Sequence, residues 1–145
     1  MRLTLHKGGA KPDPFTDNGV HTAIYSLLPH MGCFDAETVI RPAYELNYQP
    51  LAVEGELKAD KLFTLSHPGV IAETVKVAED IPNAYVLRLY EAERNTANCT
   101  VTVGDVKAVW VTNMLEEKQE QLNVVDGKVK LTFRPFEIKT ILVER

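Results

Sequence analysis

The sequence has little cysteine, no long apolar run and no excess of positive charge. Its two cysteines, Cys33 and Cys99, are too few and too far apart for a disulfide framework or a Cys-x-x-Cys metal site, so we expect reduced thiols. No apolar run approaches the roughly 20 residues that cross a bilayer. The net charge is −4 and the basic residues are scattered singly. We therefore expect neither a membrane nor a nucleic acid as a partner.

Several short motifs of enzymes and of targeting are also missing. The sequence contains no Gly-x-Ser-x-Gly, no His-Glu-x-x-His and no glycine-rich phosphate loop. Its first residues have neither the apolar core nor the cleavage site of a secretory signal. We therefore expect a cytoplasmic location.

The composition fits one globular domain. Hydrophobic residues make up 45% and charged residues 25% of the 145 positions, which is an ordinary balance for a globular protein. A chain of this length can bury a sizeable core without disulfides or metals. We expect residues 1–145 to form a single domain.

Alternation of apolar and polar residues with a period of two predicts β-strands along most of the chain. Turn-forming residues such as Pro68-Gly69 and Asp126-Gly127 separate the segments. This pattern predicts an all-β antiparallel sandwich of roughly eight to ten strands. The predicted strands are residues 2–5, 20–28, 62–65, 85–91, 100–103, 108–112, 121–125, 128–133 and 137–143.

Two local patterns are more specific. Residues 35–47 have the one helical pattern, and Pro42 within it limits the helix to a short connection over the edge of the sandwich. Asp126-Gly127 supplies the positive φ angles of a two-residue hairpin turn, which predicts that the strands on either side pair directly. The strand pattern already begins at Arg2, so we expect the chain to be a fragment of a longer protein.

The densest group of reactive side chains lies near the start of the chain and comprises Asp13, Asp17, His21, His30, Cys33 and Asp35. These residue types can bind zinc or transfer protons. Along an extended strand, however, His21 and His30 would lie about 30 Å apart, too far to share one metal. The alternation places His21 beside Tyr25 and Leu27, which favours a hydrogen-bonded histidine at the margin of the core.

Carboxylate pairs that hydrolyse a glycoside must face each other across a sugar at about 5 to 10 Å. The acidic pairs here are sequence neighbours, which we interpret as solvated surface charge. These pairs are Glu116-Glu117, Glu91 with Glu93, and Asp35 with Glu37. Trp110, the one tryptophan, is interpreted as packing on a sheet. We therefore predict no catalytic and no metal-ligating residue in this chain.

Several short motifs follow one another near the start of the chain. Residues 12–21 carry Pro-Asp-Pro and Asp-x-Gly-x-His, and residues 25–32 continue with Tyr-Ser-Leu-x-Pro-His-x-Gly. Later segments that belong with them are residues 44–47, 86–91, 112–117 and 136–140. Together these stretches resemble the C-terminal region of family 38 glycoside hydrolases, the α-mannosidases, of the microbial type. The sequence departs from the family at His6, where leucine is usual, and at Glu93-Arg94, where a glycine turn is common.

The resemblance implies a non-catalytic β-sandwich that packs on the N-terminal catalytic domain of a retaining α-mannosidase. The nucleophilic aspartate and the zinc ligands would lie in that absent domain, so no cofactor is expected here. Mannose-containing glycans would be met through the full enzyme. Asp17, Asn18 and His21 are candidates for the rim of the sugar cleft, because polar side chains in a proline-rich loop can bond to sugar hydroxyls. The alternative is that they only stabilise the turn.

Two other functions stay open at this point. An independent carbohydrate-binding module would expose aromatic side chains on one flank. A small metal hydrolase would use His21 and hold a metal. If the chain is a fragment, an apolar face near residues 12–19 would be bare, and we then expect self-association.

Overall fold

The computed structural model describes residues 3–9, 11–56 and 61–145. The chain divides into two units, Met1–Met31 and Gly32–Arg145. The regular secondary structure of the described residues belongs to the second unit.

The first unit consists of turns and extended segments without helix or strand in its described residues. The predicted strand at residues 20–28 is therefore wrong, as is the described part, residues 3–5, of the strand predicted at residues 2–5; residue 2 lies outside the described residues. Alternation shows only that a segment could present one apolar face. A strand also needs a ladder partner and a surface that buries this face, and every described side chain of this unit is exposed.

The second unit begins with the predicted helical connection. A π-helical turn, Ala36–Ile40, runs directly into helix α1, Arg41–Asn47. The carboxylate of Asp35 accepts the backbone N–H of Thr38 at 2.7 Å and so caps the first turn. Pro42 lies in the first turn of α1, where the missing N–H breaks no helical bond. The helical prediction for residues 35–47 is confirmed, and the proline starts the α-helix instead of ending it.

Among the described residues eight strands follow, all paired antiparallel, so the all-β sandwich with one short helical connection is confirmed. A three-stranded sheet has the order β1-β4-β7, and a five-stranded sheet has the order β2-β3-β8-β5-β6. The strands are β1 (Thr64–Leu65), β2 (Val70–Val77), β3 (Ala84–Glu91), β4 (Ala97–Thr102), β5 (Ala108–Thr112), β6 (Lys118–Leu122), β7 (Lys128–Phe133) and β8 (Ile138–Glu144).

The main core lies between the two sheets, because most of the strands turn an apolar face inward. In β7 the buried and exposed residues alternate strictly, with Val129, Leu131 and Phe133 inside. Leu87 and Leu89 of β3 lie in the same cluster. Burial of each such side chain contributes about 1.5 to 3 kcal/mol. This core holds the sandwich together without a disulfide.

Strand β2 was not predicted from the sequence. Its register against β3 shifts between Ala72 and Thr74, which marks a β-bulge. The extra residue breaks the alternation in the middle of the segment, so the period-two pattern does not extend over its eight residues.

The turn at Asp126-Gly127 forms, but its flanking strands separate. Asp126 and Gly127 have φ angles of +50° and +69°, and Val125 and Lys128 exchange both backbone hydrogen bonds at 3.0 Å. Beyond this bridge, β6 pairs with β5 and β7 pairs with β4, in different sheets. The prediction that the two strands pair directly is wrong, because turn chemistry fixes only the local reversal.

Candidate functional site

The three residues predicted for a sugar-cleft rim lie in one exposed turn of the first unit. Asp17 has a φ of +61°, in the left-handed region. Its carbonyl oxygen accepts a hydrogen bond from Nε2 of His21 at 2.6 Å, because a carbonyl oxygen can only accept. The backbone N–H of Asn18 donates to the carbonyl oxygen of Phe15 at 3.1 Å. Asp17, Asn18 and His21 are exposed, and their role at a rim stays a prediction.

His21 does not lie at the margin of a core. Its ring lies against that of His6, with the centroids 4.2 Å apart and the ring planes tilted by 31°, and both histidines are exposed. The interpretation as a hydrogen-bonded histidine holds, whereas its position facing the core is wrong because the strand that would have turned it inward does not form. In the described residues, no group of three or more His, Cys, Asp or Glu side chains is arranged to hold a metal ion. These residues therefore do not fit a zinc site.

Glu91, interpreted above as solvated charge, is fully buried at the end of β3. Its carboxylate accepts the backbone N–H of Glu93 at 2.7 Å and that of Phe136 at 2.9 Å. Burial opposes ionisation, but backbone N–H groups, with Phe136 first and Asn95, Glu93 and Arg94 after it, outweigh burial and hold the pKa of Glu91 below its ordinary value. Glu91 therefore ties the turn after β3 to the turn between β7 and β8.

Glu93 connects the turn after β3 to a second neighbouring segment. Its carboxylate accepts the backbone N–H of Ala36 at 2.9 Å, which links the helical connection to the sandwich. A Cβ atom at Gly69 would lie 2.5 Å from Oε2 of Glu93, so a larger residue there would displace this carboxylate. Arg94 adopts a φ of +62°, the left-handed conformation that glycine takes most readily, and β3 ends at Glu91.

Glu116 is the second carboxylate that is not solvated. It forms an ion pair with Lys76 and accepts the backbone N–H of Glu79 at 2.8 Å. The hydrogen bond from Lys76 is the largest influence that holds the pKa of Glu116 below its ordinary value. In the same loop the carbonyl oxygen of Met114 accepts a hydrogen bond from Arg88 at 3.2 Å. The loop between β5 and β6 is thereby fixed over the outer face of the five-stranded sheet.

Trp110 packs on that outer face, as predicted. It lies against the small cluster that contains Val86 and Leu142, and Nζ of Lys118 lies 4.8 Å from the centre of its ring. Because Trp110 is partly covered in this way, it is not the exposed aromatic of a sugar-binding flank.

Exposed aromatic surface is found elsewhere, in a groove between α1 and strands β1 and β2. The groove has a volume of about 670 Å³. The rings of Tyr44 and Tyr48 line it, stacked with centroids 5.9 Å apart, and Phe63 also lines it. We call it the aromatic groove; its charged lining residues are Arg41, Glu45 and Glu73.

Contacts outside the groove hold its walls in place. The hydroxyl groups of Tyr44 and Tyr90 are 3.1 Å apart and share a hydrogen bond, and burial is the main cause that raises the pKa of Tyr90 above its ordinary value. The guanidinium of Arg41 donates to the carbonyl oxygen of Pro68 at 3.0 Å. In the sequence, residues 44–47 stand out only as part of the family resemblance. The spacing of Tyr44 and Tyr48 by one helical turn is the signal from which the aromatic surface could be predicted.

Comparison with known proteins relates the sandwich to one family of glycosidases. The model of the glycosyl hydrolases family 38 C-terminal beta sandwich domain matches residues 69–141, which is half of the chain. This range begins at the residue before β2 and includes most of β8.

Curated relatives match almost the whole chain. Alpha-mannosidase 2C1 from Homo sapiens is 35% identical over 152 residues, and the match covers 99% of this chain. The protein of the same name from Mus musculus is 34% identical with the same coverage. Alpha-mannosidase G from Dictyostelium discoideum is 30% identical over 95% of this chain. The chain spans only 14 to 15% of the length of these relatives.

Proposed function

Since the chain belongs to glycosyl hydrolase family 38 and carries its C-terminal β-sandwich domain, we propose that it is a non-catalytic domain of an α-mannosidase that packs on the catalytic domain. The observation that carries the proposal is the combination of the two comparisons. The family match covers strands β2 to β7 and most of β8. Relatives named as alpha-mannosidases match 99% of the chain with 15% of their own length. Hydrolysis of terminal α-mannosides would then belong to the longer enzyme.

The proposal places zinc and the nucleophile outside this chain. In support, the described residues lack a group of side chains that could ligate a metal. Glu91 and Glu116, two carboxylates with distinctive surroundings, are engaged by backbone N–H groups, and Glu116 also by Lys76. Neither carboxylate has the open position that a general acid or nucleophile needs to meet a sugar.

Packing on the catalytic domain accounts for the apolar surface of the first unit. Burial of one such side chain in an interface would contribute about 1.5 to 3 kcal/mol. In that assembly Asp17, Asn18 and His21 would lie near the sugar cleft and meet mannose-containing glycans. The exposed apolar side chains of the unit are Leu3, Leu5, Phe15, Val20, Ile24, Tyr25, Leu27, Leu28 and Met31.

Two further parts of the proposal concern location and other partners. The described part of the chain has no helix that is long and apolar enough to cross a membrane. A cytoplasmic location is supported by the thiols, because Cys33 and Cys99 are both unpaired and Cys33 is exposed. The net charge of −4 supports a function without nucleic acid.

The chain on its own should self-associate through this apolar surface, and Phe15→Ser should weaken the association. Phe15 is 74% exposed, so its replacement removes apolar surface without opening a cavity. We expect the average mass in sedimentation equilibrium to rise with concentration for the original chain and to rise less for Phe15→Ser.

The control for this experiment is Val125→Ser, which removes an exposed apolar side chain from the turn before β7. It should associate like the original chain. If the original chain stays monomeric over the whole concentration range, the packing proposal loses its support and an independent carbohydrate-binding module becomes the better description.

A further inference from the structure

The aromatic groove, defined by Arg41, Glu45, Glu73, Tyr44, Tyr48 and Phe63, is large enough for a small ligand. Its volume of about 670 Å³ falls within the range of typical ligand pockets, roughly 300 to 1,000 Å³. One wall is α1 with Tyr48, the residue after it, and the other is β1 and β2 with Phe63, the residue before β1. The groove is thus framed by regular elements, which hold side chains more precisely than loops do.

The aromatic side of the groove is arranged before any ligand arrives. Tyr44 is fixed by its hydrogen bond to Tyr90, and Tyr48 stacks on Tyr44 with 29° between the ring planes. Tyr48 nevertheless remains 73% exposed. An open tyrosine ring offers an apolar face and a polar hydroxyl, and it loses little conformational entropy on binding.

The charged groups of the groove favour a neutral ligand with many hydroxyl groups. Arg41 supplies N–H donors, while Glu45 and Glu73 supply only acceptors. Each hydroxyl of a sugar can both donate and accept, so it can meet either kind of group in charge-assisted hydrogen bonds. With two carboxylates and one guanidinium, the groove carries one excess negative charge, which disfavours phosphate and nucleotide ligands.

The same charges argue against a purely apolar occupant. A protein segment that filled the groove with aliphatic side chains would take three charged groups out of water without new partners, at a large cost. A pyranose ring avoids this cost, because its apolar C–H face can lie on Tyr48 while its hydroxyls bond to the charged rim.

We propose that the aromatic groove binds a neutral pyranose residue of a glycan. The choice of a mannoside as the probe rests on the proposed function. The groove's selectivity for a neutral polyhydroxylated ring rests on its own residues.

The test is a titration of the ¹⁵N-labelled 145-residue chain with methyl α-D-mannopyranoside, followed by NMR. We expect saturable shifts at Tyr44, Tyr48 and Phe63, with a dissociation constant in the millimolar range. Tyr48→Ala should weaken binding about tenfold, because it removes the stacking surface. Phe34→Ala is the control: Phe34 is also an exposed aromatic residue, but it does not line the groove, and its loss should leave binding unchanged.

Mannose 6-phosphate provides the second arm, and it should bind more weakly than the neutral mannoside. The absence of saturable shifts at the groove would overturn the proposal, as would equal binding by Tyr48→Ala or tighter binding of the phosphate. Such a failure would leave the non-catalytic role intact, because that role depends on packing and on the absence of hydrolysis. Conversely, hydrolysis by this chain would contradict the non-catalytic role, but it would not affect the proposal that the groove binds a sugar.

Discussion

Replacement of Glu91 by glutamine should lower the free energy of unfolding by about 2 to 3 kcal/mol at neutral pH. The buried carboxylate accepts N–H groups from Glu93 and Phe136, on two different turns. A glutamine of the same shape would place an NH₂ group against one of these donors, so that two buried donors would face each other. Chemical denaturation of the two proteins measures the difference.

The pH dependence distinguishes loss of the charge from a general loss of packing. The pKa of Glu91 lies below its ordinary value of 4.5 in the folded chain, so ionisation of this group stabilises the fold above that value. As the pH falls below 4.5 and through the folded pKa, this contribution disappears. The difference between the original chain and Glu91→Gln should therefore shrink in acid.

Glu54→Gln is the control, because Glu54 is exposed and the substitution changes the net charge by the same amount. It should leave the stability within about 0.5 kcal/mol of the original. A pH-independent difference for Glu91→Gln would show that the carboxylate charge contributes nothing at this position.

Replacement of Gly127 by alanine should cost about 2 to 4 kcal/mol, through two separable effects. Gly127 has a φ of +69°, which is strained for any residue with a Cβ atom. An added Cβ would also lie 2.7 Å from the carbonyl oxygen of Gly104, and this neighbour is backbone that cannot rotate away. The substitution therefore strains the turn at residues 126–127 and pushes it away from the backbone at Gly104.

Gly104→Ala isolates the strain of the positive φ angle from the steric contact. Gly104 has a φ of +77°, but no atom lies within 4 Å of its added Cβ. This variant should cost only about 1 kcal/mol, the strain of the left-handed conformation. Thermal unfolding of both variants gives the comparison, and equal losses would mean that the close approach of Gly127 to Gly104 has no energetic weight.

The sequence predicted the sandwich best where local pattern and tertiary packing agree. Strands β5 and β7 were predicted with their observed bounds, because apolar residues alternate there and face the core or the sheet. At residues 20–28 the same alternation gave a wrong strand, since the described residues of that unit provide no partner strand and no covering layer. At β2 a bulge interrupts the pattern. The pattern of one segment does not show whether a neighbouring strand will pair with it, and this pairing decides whether a strand forms.

The candidate sites were harder to predict for a related reason. Glu91 reads as a surface acid in the sequence, yet it continues the inward-facing series of Leu87 and Leu89. The aromatic groove joins residues 41–48 to residues 63–73, and only the fold brings these segments together. The family resemblance, by contrast, rests on contiguous motifs, and the comparisons confirm it.

The most direct test of the central claim is an assay of the purified 145-residue chain with 4-nitrophenyl α-D-mannopyranoside, with and without added zinc. The human relative, assayed in parallel, is the positive control. If the chain is non-catalytic, it should release no 4-nitrophenol above the uncatalysed rate in either condition, because a retaining mechanism needs a nucleophile and an acid on the two sides of the scissile bond. Zinc-dependent turnover by this chain alone, abolished in His21→Ala, would contradict the account and establish a small metal hydrolase in its place.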